Sequence, residues 1–222
     1  VKNFQKAAKD AGFTTDTFGE KIQKAYQKFG GWAIITATMT KGIQYIKMMY
    51  QNVLLLDSAM TELKKVTDET QAGYDAFMDR AKGTAKEIGA ALSDVITATA
   101  DFSRLGYSMS EAEGLAKAAL TYKQVGDGID NVTTASQTLI STMKAFGDQY
   151  GEAGDAMLIV DKLNEVGNTQ AITSAGLGEA LARSASAMAA AGNTLDETIA
   201  LATAMNTTLQ NPDQVGGLRP VA

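Results

Sequence analysis

Apolar residues recur at a three-four spacing from Trp32 onward, and this is the strongest periodic signal in the chain. Steps of seven from Trp32 reach Met39, Ile46, Val53, Met60, Thr67, Tyr74, Ala81, Ile88, Val95 and Phe102. Steps of seven from Ile35 reach Gly42, Met49, Leu56, Leu63, Thr70, Phe77, Thr84, Ala91, Ala98 and Leu105. Of these 22 positions 18 are apolar, the exceptions being Gly42, Thr67, Thr70 and Thr84. Such a stripe is the seam along which helices pack into bundles or coiled coils, and Trp32, Ile35, Met39, Ile46, Met49, Val53, Leu56, Met60 and Leu63 form its most regular part. Two readings stay open. One helix over 32–105 would be about 110 Å long at 1.5 Å per residue; alternatively two helices meet near 67–73, where Thr67 and Thr70 interrupt the stripe.

On either side the pattern predicts shorter helices. Lys2 to about Ala11 forms one, stopped by Gly12, and Thr15 or Asp16 caps a second that ends at Gly30-Gly31. After Leu105, glycines act as punctuation. Gly106 stops a helix, and Ser108 with Glu111, or Ser110 with Glu113, offers a capping box for the next, which runs to about Gln124. Gly126-Asp127-Gly128 is a turn, and Asp130 or Asn131 opens a helix to Gly147. Another runs from about Tyr150 to Val166, with Gly167-Asn168 as its stop. Ser174 opens a helix through Ala191 that Gly192-Asn193 ends; Thr194 and Glu197 form a capping box, and Asn211-Pro212 breaks the last helix after Gln210. Residues 106–118 also echo residues 192–204, with identity at the leading Gly, the Glu, one Leu and two Ala. Two similar helical modules would explain this. So would two helices that each need a Gly stop, a hydroxyl cap and an Ala-rich packing face.

The expected fold is therefore all-α: a long amphipathic helix or helical hairpin followed by a bundle of short, Gly-punctuated helices. Composition agrees, with 2 Pro in 222 residues. The division is 1–31 as a short helical lead-in, 32–105 as the heptad-patterned segment and 106–222 as a compact helical core. The chain begins at Val1 without Met and ends soon after a Gly-Gly pair, and is read as part of a longer product.

The kit for chemistry is narrow. With no Cys and no His, the chain has no disulfide, no thiolate–imidazole zinc site and no Ser-His-Asp or Cys-His nucleophile system. Gly176-Leu177-Gly178 lacks the third glycine of a dinucleotide loop, and no strand precedes it. Asp127, Asp130 and Asn131 fit a turn with a helix cap better than a calcium loop. Asp75, Asp79, Glu152 and Asp155 can pair on helix faces, but no second feature selects them for acid–base work. Arg183, among Ala and Ser, reads as an ion pair at a packing edge, and Trp32, Tyr74 and the Met residues read as core or interface. No enzyme, cofactor or metal is expected.

Charge is uneven. Residues 1–65 carry ten Lys against five acids, net +5, and residues 66–222 carry ten basic against twenty acidic residues, net −10, which together give the overall −5. The Lys residues are dispersed and no Arg precedes Arg80, so solvated helix faces explain them and no specific nucleic-acid binding is expected. In Gly31–Leu56, Lys41 and Lys47 keep any apolar run short of the roughly 18 residues of a membrane span.

One family resemblance is specific. Ile159-Val-Asp161-Lys-Leu-Asn164-Glu-Val-Gly167-Asn168 is followed by Gly178-Glu-Ala-Leu-Ala-Arg183, by Gly192-Asn193-Thr194-Leu-Asp-Glu197 and by a helix reaching Asn206. Pro212 and Gly216 complete the pattern. This stretch resembles the core of phage tail tape measure proteins, especially those of long-tailed phages and prophages of Gram-positive bacteria. Leu105-Gly106-Tyr107, Lys144-Ala-Phe-Gly147 and Asp57-Ser-Ala-Met-Thr-Glu-Leu-Lys-Lys-Val66 resemble that core less closely.

What the resemblance implies is a structural role. Such a protein fills the growing tail tube and sets tail length while the tube protein polymerises around it with the help of tail assembly chaperones. It is present in the host cytoplasm during assembly, then in the tube lumen of the virion, and it leaves ahead of the DNA at genome ejection. Contact with the host membrane at ejection is a further partner implied, and the 32–105 stripe itself makes self-association through a shared helical seam an expectation. The Gly-cut segment 106–222 reads as a folded domain, with the ruler itself mostly beyond Ala222. A membrane-active helical protein, or a coiled-coil adaptor or secretion-system component, is the alternative.

Overall fold

The computed structural model describes residues 32–147 and 153–217. The two short helices expected before Gly31 lie outside the described residues, as do the side chains of Trp32, Ile35, Met39, Ile46 and Met49. The described residues form helices and no strand: α1 (Trp32–Val66), α2 (Gln71–Ile88), α3 (Leu92–Ser103), α4 (Met109–Val125), α5 (Val132–Ala145), α6 (Ala153–Thr169), α7 (Ser174–Ala190), α8 (Leu195–Leu209) and the single turn α9 (Pro212–Val215). The protein is all-α. The chain divides into two compact units, Val1–Val53 and Leu54–Ala222.

The heptad-patterned stretch is three helices, where one or two were expected. At the first break, the Thr67 hydroxyl donates to the Leu63 carbonyl at 2.7 Å, and the Thr70 hydroxyl accepts from Gly73 N–H at 3.1 Å as the N-cap of α2. The second break follows Gly89, whose φ of 74° places it in the left-handed region that a side chain disfavours. The stripe survives both interruptions because the buried face does. Leu63, Tyr74, Phe77, Ala81, Val95, Ala98 and Phe102 are all buried. Val53 is 62% exposed, Leu105 is 38% exposed, and Leu56 and Met60 are partly buried against the core.

Within Leu54–Ala222, the last turns of α1 together with α2 to α9 share one core. α4 packs on α3 and α6, and α7 packs on α5, α6, α8 and α9. Alanine makes these approaches close: Ala98, Ala112, Ala116, Ala118, Ala119, Ala135, Ala156 and Ala180 are fully buried beside Ile96, Leu115, Leu120, Leu139, Ile159 and Leu181. A small residue on a helix face lets the facing backbone approach, and the leucines fill what remains.

Most helix starts follow the local chemistry of the sequence. Ser108 and Glu111 form the capping box of α4, and Thr194 and Glu197 that of α8. Asn131 caps α5, and Asn211 caps α9. The alternative box of Ser110 and Glu113 is not used; Glu113 instead takes a bidentate contact from Arg80 of α2 at 2.6 and 2.9 Å. One stop is corrected. Gly167-Asn168 does not end α6, which continues to Thr169.

Candidate functional site

Some of the residues that carry the family resemblance, Gly167, Gly178, Arg183 and Gly216, lie on or against α7. The first backbone N–H groups of a helix have no partner within it. In α7 each is met. Ser174 N–H donates to the Asp127 carboxylate at 2.9 Å, Ala175 N–H to the Asp127 carbonyl at 3.1 Å, and Gly176 N–H to the Thr173 hydroxyl at 3.0 Å. Leu177 N–H then opens the regular ladder by donating to the Thr173 carbonyl at 2.9 Å. A carboxylate at this end also faces the positive pole of the helix. Asp127 thus belongs to a helix-end joint, as the turn-and-cap reading of its loop anticipated in kind but not in partner.

The same joint is locked from two further sides. Tyr122 of α4, fully buried, donates its hydroxyl to the Ser174 carbonyl at 2.7 Å. Burial first, and the neighbouring Asp127 charge second, push the Tyr122 phenol well above its ordinary value of 10.0, so it remains a protonated donor. Gly167 of α6 lies against Ser174 so closely that a Cβ there would collide with the Ser174 hydroxyl and stand 2.9 Å from its N–H. Gly167 is therefore a contact surface within α6.

Two more glycines admit neighbours to α7. A Cβ on Gly178 would lie 2.7 Å from the Thr138 hydroxyl of α5, and one on Gly176 would lie 2.8 Å from Pro212 of α9. Gly216 closes the same side against Arg183, with Cβ-to-Cβ space of 2.9 Å. Arg183 pairs with Glu179 at 3.2 Å on the exposed face, in keeping with the packing-edge reading. Asn206 of α8 donates to the Ala171 carbonyl at 2.7 Å and is buried.

The remaining motif residues divide by position. Gly192, at φ 87°, turns the chain after α7, and the Asn193 amide donates to the Met188 carbonyl at 3.1 Å. Thr194 and Glu197 start α8. Asp161 and Asn168 are exposed, and Asn164 is partly buried, its carbonyl oxygen without a hydrogen-bond partner. Tyr122, Asp127, Ser174, Gly176 and Thr138 were not singled out for this joint. The doublet Gly176-Leu-Gly178 was the available signal, since two glycines on one helical turn mark close approach as readily as a ligand loop. The echoed segments do share a left-handed Gly and a capping box, at Gly106 and at Gly192. Their faces diverge, however: Leu115 is fully buried and its counterpart Leu201 is 44% exposed.

Between α6 and α8 runs an open groove of about 570 Å³, floored by Val166 and Ile199 and crossed by a 2.6 Å ion pair from Lys162 to Asp196. Among the described residues, no group of three acidic, His or Cys side chains is placed to hold a metal ion. No described helix is long and apolar enough to cross a membrane. A family model for phage-related minor tail proteins matches residues 78–218, more than half of the chain, and includes the whole α7 joint. No solved structure matches the chain.

Proposed function

The chain belongs to the family of phage-related minor tail proteins, and from that premise we propose that it is the tape measure of its tail. Family membership carries a structural role in a phage tail and a place in the virion. The finer reading is that the protein fills the tube lumen, sets tail length as the tube protein polymerises around it with assembly chaperones, and departs at genome ejection. The observation that carries it is the match over residues 78–218, which coincides with the segment whose motifs resemble tape measure cores. The helical architecture is compatible: a helix gains about 1.5 Å per residue, the most regular ruler a chain can make.

Within that reading the two parts of the chain have different tasks. The folded unit from Leu54 onward is an assembly domain, because its Gly-notched helices and buried joint specify one compact packing and not an extended rod. α1, with Met48, Tyr50, Val53, Leu54 and Leu55 each at least half exposed, supplies the self-association surface. Contact with the host membrane at ejection belongs to the same proposal.

The test is tail length by electron microscopy after in-frame deletion of residues 54–217 from the gene. Absent tails, or tails of erratic length, are expected for a folded assembly domain. Tails shortened by about 1.5 Å per deleted residue would mean that the region is itself drawn out as ruler. Tails of normal length would overturn the tape measure reading and favour a helical adaptor.

A further inference from the structure

The part of α1 from Leu54 to Val66 reaches the rest of its unit through a narrow seat. Of its last three turns, Ala59 and Leu63 are buried in the core, while Leu56, Met60 and Val66 only edge it. Leu54 and Leu55, on the same stretch, are 50% and 58% exposed. Beside the seat, α1 and α3 stand apart around a gap of about 230 Å³ edged by Ser58, Glu62, Asp94 and Arg104. One side chain spans it. Arg104, the residue that ends α3, reaches Glu62 at 3.1 Å and Asp101 at 2.7 Å.

The end of α1 is fixed quite differently. At the corner, the Tyr74 hydroxyl lies 2.9 Å from the Thr67 hydroxyl and donates to the Thr67 carbonyl at 3.1 Å, and Lys64 sits over the Tyr74 ring at 5.3 Å. The corner is thus tied by part-buried hydrogen bonds and a cation over an aromatic ring, within a few residues of the turn itself. The seat relies on two buried side chains, three that only edge the core, and an exposed ion pair, which salt and entropy weaken. We infer that the last turns of α1 are a releasable strap, held by Ala59, Leu63 and the Arg104–Glu62 bridge, that swings off its seat about Thr67–Thr70 while the bundle of α2 to α9 stays folded. Segments with few buried contacts open at lower free energy than the core around them. Off its seat, the strap exposes Leu56, Met60 and Leu63 together, an apolar face open to a second copy. That consequence rests on the self-association reading above; the strap itself does not.

The chain has no cysteine, so single thiols report opening directly. Ala59→Cys places one under the strap, and Ala116→Cys places one in the fully buried face of α4. Under native conditions the thiol at position 59 is expected to react with a maleimide at least about tenfold faster than the thiol at position 116, as sub-global opening requires. Glu62→Gln, combined with Ala59→Cys, is expected to raise that rate a further ~3-fold by loosening the bridge and to leave the rate at position 116 unchanged. Equal rates at the two positions would mean that α1 leaves only when the whole unit unfolds, and would overturn the strap. A rate at position 59 unmoved by Glu62→Gln would overturn the bridge as its catch. If Ala116→Cys loses the native helical spectrum, Ala98→Cys in α3 serves as the buried reference.

Discussion

Gly167 and Gly83 both lie inside helices, yet an added methyl meets opposite surroundings at the two positions. Next to Gly167 stand the Ser174 hydroxyl and N–H, and next to Gly83 there is nothing within 4 Å. Gly167→Ala is therefore expected to destabilise by about 2 kcal/mol through overpacking, whereas Gly83→Ala should stabilise by about 0.5–1 kcal/mol by restricting the unfolded chain. Urea midpoints of the two variants, measured together, check both signs. Glu111 carries a prediction about pH. The Ser108 hydroxyl, then the Ser108 N–H, hold its carboxyl below the ordinary 4.5. A lowered native value means stability that is complete above 4.5 and lost as pH falls through the native value. Glu111→Gln should accordingly flatten the fall in urea midpoint between pH 7 and strongly acid solution, without lowering the midpoint much at neutral pH, because an amide still accepts in a capping box. At this scale the capping residues were legible in the sequence because their partners lie three residues away. Gly167 was not, because Gly-Asn is a common helix end and the neighbour that fills its Cβ space, Ser174, sits beyond the next turn.

Among the elements, α7 packs on α5, α6, α8 and α9, and its N-terminal joint also ties it to α4 through Tyr122. Tyr122→Phe removes the hydroxyl that reaches the Ser174 carbonyl and leaves that oxygen its in-helix bond alone, with an expected loss of about 1 kcal/mol. Asp127→Asn keeps an acceptor for Ser174 N–H and should cost less than Tyr122→Phe, while Asp127→Ala exceeds Asp127→Asn because it also empties the contact. Thermal unfolding of the three variants ranks them. Why the heptad row crosses two helix breaks is an element-scale matter too. The row marks which face is buried, and a face is buried equally well against helices of one chain or of several. Phe77, Val95 and Phe102 stay on the row and in the core after the axis has changed direction at the Thr67–Thr70 and Gly89–Ala91 turns. The turn at Thr67–Thr70 falls where the stripe is interrupted. Gly89 breaks helix without interrupting the stripe, so periodicity alone passed over it.

For the molecule as a whole, charge changes sign along the chain, and the densest run of exposed apolar side chains lies in α1. Residues 1–65 are net +5 and residues 66–222 net −10, and the large apolar side chains exposed near the middle of α1 belong to the basic part. A helix apolar around its circumference is normally covered. Sedimentation of the chain across a concentration series is expected to show reversible association, and Val53→Lys combined with Leu55→Lys to weaken it by at least about tenfold, a change of roughly 1.4 kcal/mol. An unchanged sedimentation profile in the double variant would remove α1 as the associating surface. Charge steering alone would instead produce association that vanishes in high salt and ignores the substitutions.

The sequence by itself determined that this protein is helical, where most of its helices begin, which residues face a core and which chemistries its missing Cys and His exclude. Those properties depend on spacing, composition and partners within one or two helical turns, so they are written locally. Its family likeness was likewise carried by residues close together, from Ile159 to Gly216. Only the tertiary structure decided that Gly167, Gly176, Gly178 and Gly216 are contact surfaces, that Tyr122 and Asp127 meet the start of α7, and that Leu63 lies buried on a row where Val53 is exposed. The physical reason is sequence distance: Tyr122 and Ser174 are 52 residues apart, and which of many equivalent small or polar residues meets which depends on how the helices cross in space.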